Sequence, residues 1–408
     1  MMRRLLPADD TVSPPLSRER WRDRGYHEAW ERALTLGPQT VIEWVTAAGL
    51  TGRGGAAFPT GQKWASVAQS ADPVKYVVMN ADESELGTFK DRALLTRDPW
   101  GALAGLAIAA FAVGAHEAYV YLRGEYADVE RLLEEALALA PWAEAGSYPL
   151  AVRLIRGAGA YIAGEETALL NSIEGRRPEP RVKPPFPTAR GLWGHPTVIQ
   201  NVETLANVAV LLAHDVAWFR AVGTEAAPGT KLMAVSGHVA RPGVYEIPMG
   251  LPLWTLLTAP EYAGGIGGSG RLRAVLLGGA AGTFLTADEC RAARLDNLAL
   301  QPFGASLGSG AVMVFDDTVE IRQVVRQVAG FFAEESCGQC VPCRIGTRRL
   351  LEQLSASTLD IERLRDLGGA MRDASICGLG QTAPQALLSY LDRPSLWPRT
   401  SKEEECHA

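Results

Sequence analysis

The sequence has few cysteines, little excess charge and no long apolar run. Its 408 residues include six cysteines, which suits a reducing cytoplasm better than a disulfide framework. A formal net charge of −6 argues against a dedicated nucleic-acid-binding protein. The longest apolar run, residues 102–115, is too short to span a bilayer and predicts a buried helix. The basic start of the chain leads into Pro7 and Asp9-Asp10, so we do not expect a secretory or twin-arginine signal.

The composition is that of a soluble globular protein with several domains. Hydrophobic residues make up 47% of the chain and charged residues 21%, both ordinary values. A chain of this length is expected to form about two to four domains. Residues 224–229 are small and include a proline, which predicts a domain boundary.

Four of the cysteines are spaced for an iron–sulfur cluster. Three stand at C-x2-C-x2-C spacing and the fourth follows much later in the chain, a pattern that can hold a [4Fe-4S] cubane. The expected ligands are Cys337, Cys340, Cys343 and Cys377. A structural zinc site is the alternative, but it usually takes two separate C-x2-C pairs. Cys290 and Cys406 fall outside the pattern, and we interpret both as incidental.

The first three cysteines lie in a motif with a family resemblance. Residues 335–346 read Glu-Ser-Cys-Gly-Gln-Cys-Val-Pro-Cys-Arg-Ile-Gly. This resembles the cluster-binding motif of the NADH-oxidising flavoprotein subunit of respiratory complex I, also known as its 51-kilodalton subunit. The family includes the flavoprotein subunits of NAD-dependent formate dehydrogenases and NAD-reducing hydrogenases. The resemblance extends from about Gly49 to Leu396.

Upstream of the cysteines, strand-like and helix-like segments alternate over residues 75–173. This alternation predicts an α/β domain with a parallel sheet, whose ligands lie at the carboxyl ends of the strands. The resemblance implies a Rossmann-like FMN-binding domain, followed by a ubiquitin-like β-grasp module and a C-terminal four-helix bundle that holds the cluster. The predicted domains are residues 1–65 (helical segment and glycine loop), 66–223 (FMN and NADH), 224–316 (β-grasp, of the soluble-ligand-binding type), 317–400 (helical bundle) and 401–408 (a frayed tail).

A glycine-rich loop at residues 52–61 is the first candidate for ligand binding. Gly52, Gly54 and Gly55 would let the backbone approach a phosphate, with Arg53 and Lys63 as counter-charge. The loop is neither a P-loop nor a dinucleotide fingerprint, and a plain structural turn is the alternative. It resembles the flavin-binding glycine loop of the family, in which the residue matching Phe58 packs against the bound dinucleotide. Ala57 stands where the family usually has glycine.

A polar, acidic segment follows the first predicted strand. By pattern alone it is equally well a solvated loop. The resemblance places four of its residues around the flavin ring and ribityl chain, namely Asn80, Asp82, Glu83 and Ser84. It places Glu85 beside the bound nucleotide.

A second glycine-rich segment, residues 157–166, joins a predicted strand to a predicted helix. Ile162 stands where a G-x-G-x-x-G fingerprint needs its third glycine, so that motif fails. Glu165 and Glu166 satisfy a helix dipole, or they accept hydrogen bonds from ribose hydroxyls and repel a 2′-phosphate, which predicts NADH over NADPH. The resemblance places both, with Gly164, beside flavin and nucleotide. Ala163 stands where the family has cysteine.

Two further segments complete the predicted site. Lys183 and Phe186 flank a run of prolines that is a linker by pattern alone, and the resemblance makes them nucleotide contacts for phosphate and adenine. Gln200, Asn201 and Thr204 begin an apolar helix whose first turn offers N–H groups to the flavin phosphate. Asn201 and Thr204 match the family, whereas Gln200 replaces the usual asparagine.

The predicted function follows from the resemblance. NADH passes a hydride to FMN, and single electrons continue to the cluster and onward to a quinone-reducing complex I. Hydride transfer to a flavin needs no general acid or base, and Glu85 and Glu166 are the predicted gating residues. The implied partners are a small thioredoxin-like [2Fe-2S] subunit and a larger multi-cluster subunit, on the inner face of the cell membrane but without direct membrane insertion. The alternatives are a formate dehydrogenase or hydrogenase subunit, and a scaffold whose flavin site has decayed.

Overall fold

The computed structural model describes residues 3–7, 16–139, 142 and 148–398. The predicted tail at residues 401–408, with Cys406, lies outside the described residues. The fold divides into two compact units. The first comprises Met1–Met233 and Val244–Gly250, and the second Ala234–Gly243 and Leu251–Ala408.

The first unit alternates helices and strands, as predicted. Its helices are α1 (Arg18–Asp23), α2 (Tyr26–Leu36), α3 (Pro38–Ala47), α4 (Thr60–Ala68), α5 (Lys90–Arg97), α6 (Pro99–Val113), α7 (Ala127–Leu139), α8 (Glu166–Ile173), α9 (Pro187–Arg190), α10 (Val202–Ala213) and α11 (Val216–Arg220). Its strands are β1 (Tyr76–Ala81), β2 (Glu117–Leu122), β3 (Ala151–Arg156) and β4 (Thr197–Asn201). They form one sheet in the order β3-β2-β1-β4, and every pair is parallel. The prediction of a parallel α/β sheet is confirmed.

Strand β4 was not predicted, and it determines where the sheet can bind a ligand. Its five residues are too few to reveal a periodic pattern before α10 begins. From β1 the chain winds through β2 to β3 on one side, whereas β4 lies on the other side of β1. In parallel sheets the crevice for a ligand opens at such a reversal, outside the carboxyl ends of the strands. Here Asn80 of β1 stands in register with Asn201 of β4.

The buried helix α6 packs closely against α10, the helix that begins beside this crevice. Helix α6 begins with Pro99 and ends at Gly114 in the left-handed conformation, as expected for helix ends. A β-carbon on Gly105 of α6 would lie 1.9 Å from the carbonyl oxygen of Leu205, so glycine permits the close approach of α6 and α10. The sequence prediction of a buried helix at residues 102–115 is confirmed.

The remaining elements are β5 (Thr230–Gly237), β6 (Gly243–Pro248), α12 (Leu253–Thr258), β7 (Leu272–Leu277), β8 (Thr283–Thr286), α13 (Ala287–Ala292), α14 (Asn297–Leu300), β9 (Ala311–Asp316), α15 (Ile321–Glu335), α16 (Val341–Leu354), α17 (Ile361–Ala374), α18 (Gly378–Thr382) and α19 (Gln385–Leu391). The second sheet has the order β6-β5-β9-β7-β8. Helices α15, α16, α17 and α19 pack against one another. Among the residues that the structure describes, no helix has both the length and the apolar character needed to cross a membrane.

Candidate functional site

The carboxyl end of β1 gathers four of the predicted residues. Asn80 Nδ2 donates a hydrogen bond to the carbonyl oxygen of Gly164 (2.8 Å), and its Oδ1 accepts one from the backbone N–H of Asp82 (3.1 Å). The Ser84 hydroxyl donates to Asp82 Oδ2 (2.8 Å). A β-carbon on Gly164 would lie 3.2 Å from Asp82 Oδ2, so these residues form a continuous wall.

The glycine loop lies against the first turn of α10. The backbone N–H of Arg53 donates to Thr204 Oγ1 (2.8 Å), and a β-carbon on Gly54 would lie 3.0 Å from that of Asn201. Asn201 caps α10 by accepting from the Glu203 N–H (3.0 Å). The loop and the N-terminus of a twelve-residue helix therefore meet, which is an arrangement suited to a phosphate.

Arg53 itself does not take the role predicted for its side chain. The residue is 3% exposed, and its guanidinium donates to the carbonyl oxygens of Thr51 (3.2 Å), Pro228 (3.1 Å) and Thr230 (3.2 Å). Arg53 therefore ties the loop to the start of β5 instead of supplying counter-charge to a phosphate. Sequence reasoning could not predict this role, because the carbonyls of Pro228 and Thr230 are remote from the loop in sequence.

Beneath the loop lies a buried charge network that the sequence analysis missed. Lys90 Nζ contacts Asp91 Oδ1 (2.7 Å) and Glu203 Oε2 (2.9 Å), and it donates to Asn201 Oδ1 (3.3 Å). Lys231 Nζ lies 3.9 Å from Glu203 Oε2. Burial alone would raise the pKa of Glu203, but Lys90 and Lys231 hold that pKa below its usual value. The network joins β4, α5, α10 and β5 behind the crevice.

Burial in this network changes the pKa of Lys231. Burial lowers the pKa of Lys231 to about 8, and Glu203 only partly opposes this effect. Lys231 Nζ also donates to the carbonyl oxygen of Arg53 (3.0 Å), so the lysine supports the glycine loop from below.

Glu83 is turned away from the wall that its neighbours form. Its carboxylate accepts from the N–H groups of Asp91 and Arg92 (both 2.9 Å) and from the Thr88 hydroxyl (2.9 Å), so it caps α5. Burial and the nearby Asp91 raise its pKa. Its predicted contact with the flavin is not supported by these bonds.

A cluster of two lysines and two glutamates lies beside Gly164. Lys183 Nζ contacts Glu165 Oε1 (2.9 Å) and Glu166 Oε1 (2.7 Å), and Lys63 Nζ lies 3.5 Å from Glu166 Oε2. Glu165 also caps α8, because its Oε2 accepts from the N–H groups of Thr167 (2.8 Å) and Ala168 (3.0 Å). This lysine–glutamate cluster brings together Lys63, Glu165, Glu166 and Lys183.

The pairing changes the charge argument made from the sequence. Burial would raise the pKa of Glu166, but Lys63 and Lys183 hold that pKa below its usual value. The Glu166 carboxylate is therefore ionised, and both carboxylates are already paired with Lys183, so their repulsion of a 2′-phosphate is weaker than unpaired carboxylates would give. Lys63, predicted to face a phosphate, faces Glu166 instead.

The other predicted residues lie near the surface or in the sheet. Phe58 and Phe186 are 51% and 55% exposed, which leaves both rings open to a ligand. Gly52 N–H donates to the Phe58 carbonyl oxygen (2.9 Å) and closes the glycine loop, and the space beside Gly55 is open. Gln200 is buried in β4. For Glu85 the structure shows a half-buried side chain in the turn after β1.

The cysteine motif spans the junction of α15 and α16. Cys343 is buried in the first turn of α16, which begins at Val341. Cys340 is the N-cap residue of α16, and Cys337 follows the end of α15. Arg344 Nη1 donates to the carbonyl oxygen of Gly338 (3.1 Å), and Gly338 has a positive φ of 81°, which glycine adopts readily in a tight loop.

Cys377 precedes α18, which packs closely on Cys343. A β-carbon on Gly380 would lie 2.8 Å from the β-carbon of Cys343 and 2.5 Å from Ser375 Oγ. Ser375 is 6% exposed, and its hydroxyl has no hydrogen-bond partner among the residues that the structure describes. A buried hydroxyl without a partner beside a cysteine fits a group whose sulfur atoms accept hydrogen bonds.

The cysteine geometry also bears on the zinc alternative. Within residues 3–7, 16–139, 142 and 148–398, no three His, Cys, Asp or Glu side chains are grouped to hold a metal ion. A cubane makes a different demand, because each cysteine binds its own iron atom.

Cys290 is fully buried, which raises its pKa to about 12 and suits a packing role.

These two sites define the class of protein. A parallel sheet with a glycine loop at its reversal point, in one chain with four cluster-spaced cysteines, is the construction of an iron–sulfur flavoprotein. Residues 45–210 match the family model described as the Nuo51 FMN-binding domain. Residues 323–393, which include all four cysteines, match the NADH-ubiquinone oxidoreductase-F iron-sulfur binding region, and residues 231–314 match the SLBB domain.

Known proteins of similar sequence and structure identify the family. The chain is 42% identical over 381 residues to the second F-type subunit of the NADH-quinone oxidoreductase of Rhizobium meliloti (strain 1021), covering 90% of each chain. It is 39% identical over 398 residues to the F-type subunit of the same enzyme in Aquifex aeolicus (strain VF5), covering 94% of this chain and 90% of the relative. A chain in the crystal structure of H2-reduced NAD+-reducing [NiFe]-hydrogenase superposes with a TM-score of 0.85 at 38% identity, covering 97% of this chain and 69% of that one. The chain belongs to the family of F-type subunits of NADH-quinone oxidoreductase, which confirms the resemblance and favours a cluster over zinc.

Proposed function

We propose that this chain is the NADH-oxidising flavoprotein subunit of a respiratory NADH-quinone oxidoreductase. FMN, when bound, accepts a hydride from NADH and returns the electrons singly to a [4Fe-4S] cluster. The observation that carries the proposal is the crevice at the reversal point of the first sheet. There the glycine loop, the end of β1 and the first turn of α10 converge.

The flavin half of the crevice follows from these contacts. Backbone N–H groups of Gly54 and Gly55, with the first turn of α10 at Asn201 and Thr204, hold the phosphate in this proposal, and Gly52 shapes the loop through its bond to Phe58. The wall of Asn80, Asp82, Ser84 and Gly164 lines the ribityl chain and ring. Gln200 is buried in β4 and supports this floor through its backbone. The proposal gives Arg53 and Glu83 positioning roles.

The nucleotide half is proposed to lie along the lysine–glutamate cluster. Phe58 and Phe186 offer exposed rings to the dinucleotide, and Lys183 meets a phosphate by exchanging one of its carboxylate contacts. The Glu166 carboxylate oxygen that Lys183 releases can then accept a hydrogen bond from a ribose hydroxyl. Glu166 and Glu85 remain the proposed gating residues, and the preference for NADH over NADPH is moderate because Lys63 stays paired with Glu166.

The finer architecture is proposed on the same basis. The second sheet with α12 is a ubiquitin-like β-grasp module over residues 224–316, which the match to the SLBB domain supports. Residues 317–400 form a four-helix bundle around the cluster, supported by the mutual packing of α15, α16, α17 and α19. Residues 1–65 and 66–223 form the helical segment with its glycine loop and the FMN- and NADH-binding domain. Cys337, Cys340, Cys343 and Cys377 each bind one iron.

The proposed assembly follows from the names of the relatives. A chain with one cluster must pass its electrons to another protein, and we propose a thioredoxin-like [2Fe-2S] subunit and a larger multi-cluster subunit as partners. The chain then lies in the cytoplasm, at the inner face of the cell membrane, through its complex.

An anaerobic titration tests the flavin and nucleotide sites. The full chain, reconstituted with FMN, iron and sulfide, is titrated with NADH and separately with NADPH while flavin absorbance is followed. We expect NADH to bleach the flavin at lower concentration. Lys183→Met should raise the NADH concentration required by about tenfold or more, as the loss of one charge-assisted contact implies. Lys75→Met is the matched control, because Lys75 precedes the opposite end of β1. A wild-type chain that retains no flavin and responds to neither nucleotide contradicts the proposal and leaves a scaffold.

A second function is favoured by the hydrogenase superposition. A diaphorase subunit of an NAD-reducing hydrogenase or an NAD-dependent formate dehydrogenase would use the same site. Isolating the tagged chain from its own cells, with its partners attached, separates the two functions. NADH-dependent quinone reduction supports the respiratory complex, whereas NAD+ reduction by hydrogen or formate supports the second function.

A further inference from the structure

Two serine hydroxyls lie beside Cys343, and the cluster-binding pattern does not account for either of them. Ser336 is the C-cap residue of α15, and its Oγ lies 3.3 Å from Cys343 Sγ. The backbone N–H of Ser336 donates to the Phe332 carbonyl oxygen (3.1 Å), which fixes the residue to the helix. The Thr347 hydroxyl donates to the carbonyl oxygen of Cys343 (2.9 Å) and steadies the turn that carries the cysteine.

Ser375 approaches the same cysteine from the other side of Gly380. Its hydroxyl and the Cys343 β-carbon both lie within 2.8 Å of the point where a Gly380 β-carbon would stand. Its backbone carbonyl accepts from Gln381 Nε2 (3.0 Å), so the turn before Cys377 is fixed while the hydroxyl is left over. Within the described part of the chain, this hydroxyl is buried with no partner, a state that costs free energy unless an acceptor is bound.

The chemistry of a ligated cysteine determines which atom donates. A thiolate bound to iron has lost its proton and can only accept a hydrogen bond, so the serine O–H must be the donor. Hydrogen bonds to the sulfur atoms of an iron–sulfur cluster are one of the means by which a protein sets its reduction potential. Reduction adds one electron to the cluster, and the proton remains on the serine oxygen. A donor stabilises the more negative, reduced form and therefore raises the potential.

We propose that Ser336 and Ser375 are positioning residues that raise the reduction potential of the [4Fe-4S] cluster, by donating hydrogen bonds to the Cys343 thiolate and to a neighbouring cluster sulfur. This inference rests on the proposed function, because it requires the cluster. Each serine then makes the cluster easier to reduce.

The test compares variants of the reconstituted full chain, with the cluster poised at a series of electrode potentials and its reduced form counted by low-temperature electron paramagnetic resonance. At a fixed potential, Ser336→Ala and Ser375→Ala should each lower the ratio of reduced to oxidised cluster by three- to tenfold. For a one-electron couple this is a shift of about 30 to 60 mV to more negative potential. Ser355→Ala, at an exposed serine at the end of α16, should leave the ratio unchanged.

An isosteric pair keeps the test decisive if alanine disturbs the loop. Ser336→Thr retains the hydroxyl and should keep the wild-type potential, whereas Ser336→Val has nearly the same shape and should not. Equal potentials in the threonine and valine variants, or in wild type and both alanine variants, with full iron content would overturn the inference. Failure of wild-type chain to assemble any cluster would instead count against the proposed function, so the two failures are distinguishable.

Discussion

Charged side chains are buried together behind the proposed flavin crevice, whereas in the described helices around the cysteines the ion pairs lie at the surface. Lys90 and Glu203 are 1% and 0% exposed as side chains, and each has further charged neighbours. In the helices that carry the cysteines, Arg349 and Glu352 pair with 56% and 58% exposure. The crevice is therefore stabilised by buried ion pairs within its own unit. The cysteine motif has no such network among the described residues, and glycine and serine residues surround its thiols instead.

The difference indicates how each site depends on its ligand. A network of buried, mutually paired charges preserves the shape of the crevice whether or not FMN is present. Among the residues that the structure describes, the Ser375 hydroxyl has no partner, and the inference above gives it an acceptor only when a cluster is bound. Metal binding and local folding are coupled in such sites. We therefore expect perturbations to affect the two units separately.

The largest expected effect is loss of the cluster without loss of the flavin. Cys377→Ala removes one ligand, so we expect the iron content and the low-temperature paramagnetic signal to fall at least tenfold, because a cubane needs all four positions filled. Flavin content should stay at the wild-type value, since the crevice belongs to the other unit. Iron and flavin analysis of the purified chain checks this, with Cys290→Ala as a control that keeps its iron. Loss of both cofactors together would contradict the independence of the two sites.

The reverse perturbation is to break the buried network. Glu203→Gln leaves Lys90 and Lys231 facing an uncharged group, and removing one partner from a buried ion pair costs roughly 3–5 kcal/mol. We expect the free energy of unfolding of the first unit to fall by about this amount in urea, with reduced flavin content and unchanged iron. Asp128→Asn is the matched control, because Asp128 and its partner Arg92 are 45% and 49% exposed and such a pair contributes under about 1 kcal/mol. Equal losses in both variants would show that the network adds no stability.

The two units should also respond to alkaline pH in opposite directions. Burial lowers the pKa of Lys231 to about 8, so between about pH 8 and 9 the unfolded chain binds more protons than the folded one and stability of the first unit rises. Above about pH 9 the tyrosines of this unit, whose pKa values burial raises, ionise first in the unfolded chain and oppose this rise. Burial raises the pKa of Cys290 to about 12, so above its unfolded value of 9.0 the unfolded thiol ionises first and stability of the second unit falls. Each slope is at most about 1.4 kcal/mol per pH unit.

Hydrogen exchange resolved by segment between about pH 8 and 9, corrected for the intrinsic exchange rate, measures both slopes in one sample. Lys231→Met should flatten the rise in the first unit, and Cys290→Val should flatten the fall in the second. Parallel slopes in the two units, or slopes that survive these substitutions, would contradict the assignment to Lys231 and Cys290.

The parallel sheet and the iron–sulfur cluster could be predicted from the sequence because both depend on local or periodic patterns. Strands such as β1 and helices such as α6 have apolar runs of the right period, and three of the cysteines stand within one short motif. The family resemblance assigned the remaining site residues to the glycine loop and to the ends of strands, and their ligand contacts stay predictions. Pairings between distant segments were beyond this reasoning, as the roles of Arg53 and Glu83 show.

Those pairings depend on burial and on atoms far apart in the chain. Lys90 and Glu203 each look like ordinary surface residues at the start of a helix, and only the packing of α5 against α10 brings them together. The paired state of Glu166 is equally hidden, because Lys63 approaches from another helix. Sequence patterns indicate which residue types are present, whereas the direction of each side chain is set by the tertiary structure.

The smallest expected effect concerns Ala57, which stands where the family usually has glycine. Ala57 has a positive φ of 52°, in the left-handed region where a β-carbon costs roughly 1–2 kcal/mol and glycine is favoured. Ala57→Gly relieves this strain but adds chain entropy in the unfolded state of about 0.5–1 kcal/mol, so we expect the first unit to gain about 0.5–1 kcal/mol in urea unfolding. Ala56→Gly is the control, because Ala56 lies outside the left-handed region and should lose stability instead. Flavin affinity should be unchanged in both, since the flavin phosphate is proposed to bind backbone N–H groups that neither substitution removes; a loss of stability at position 57 would show that Ala57 carries no strain.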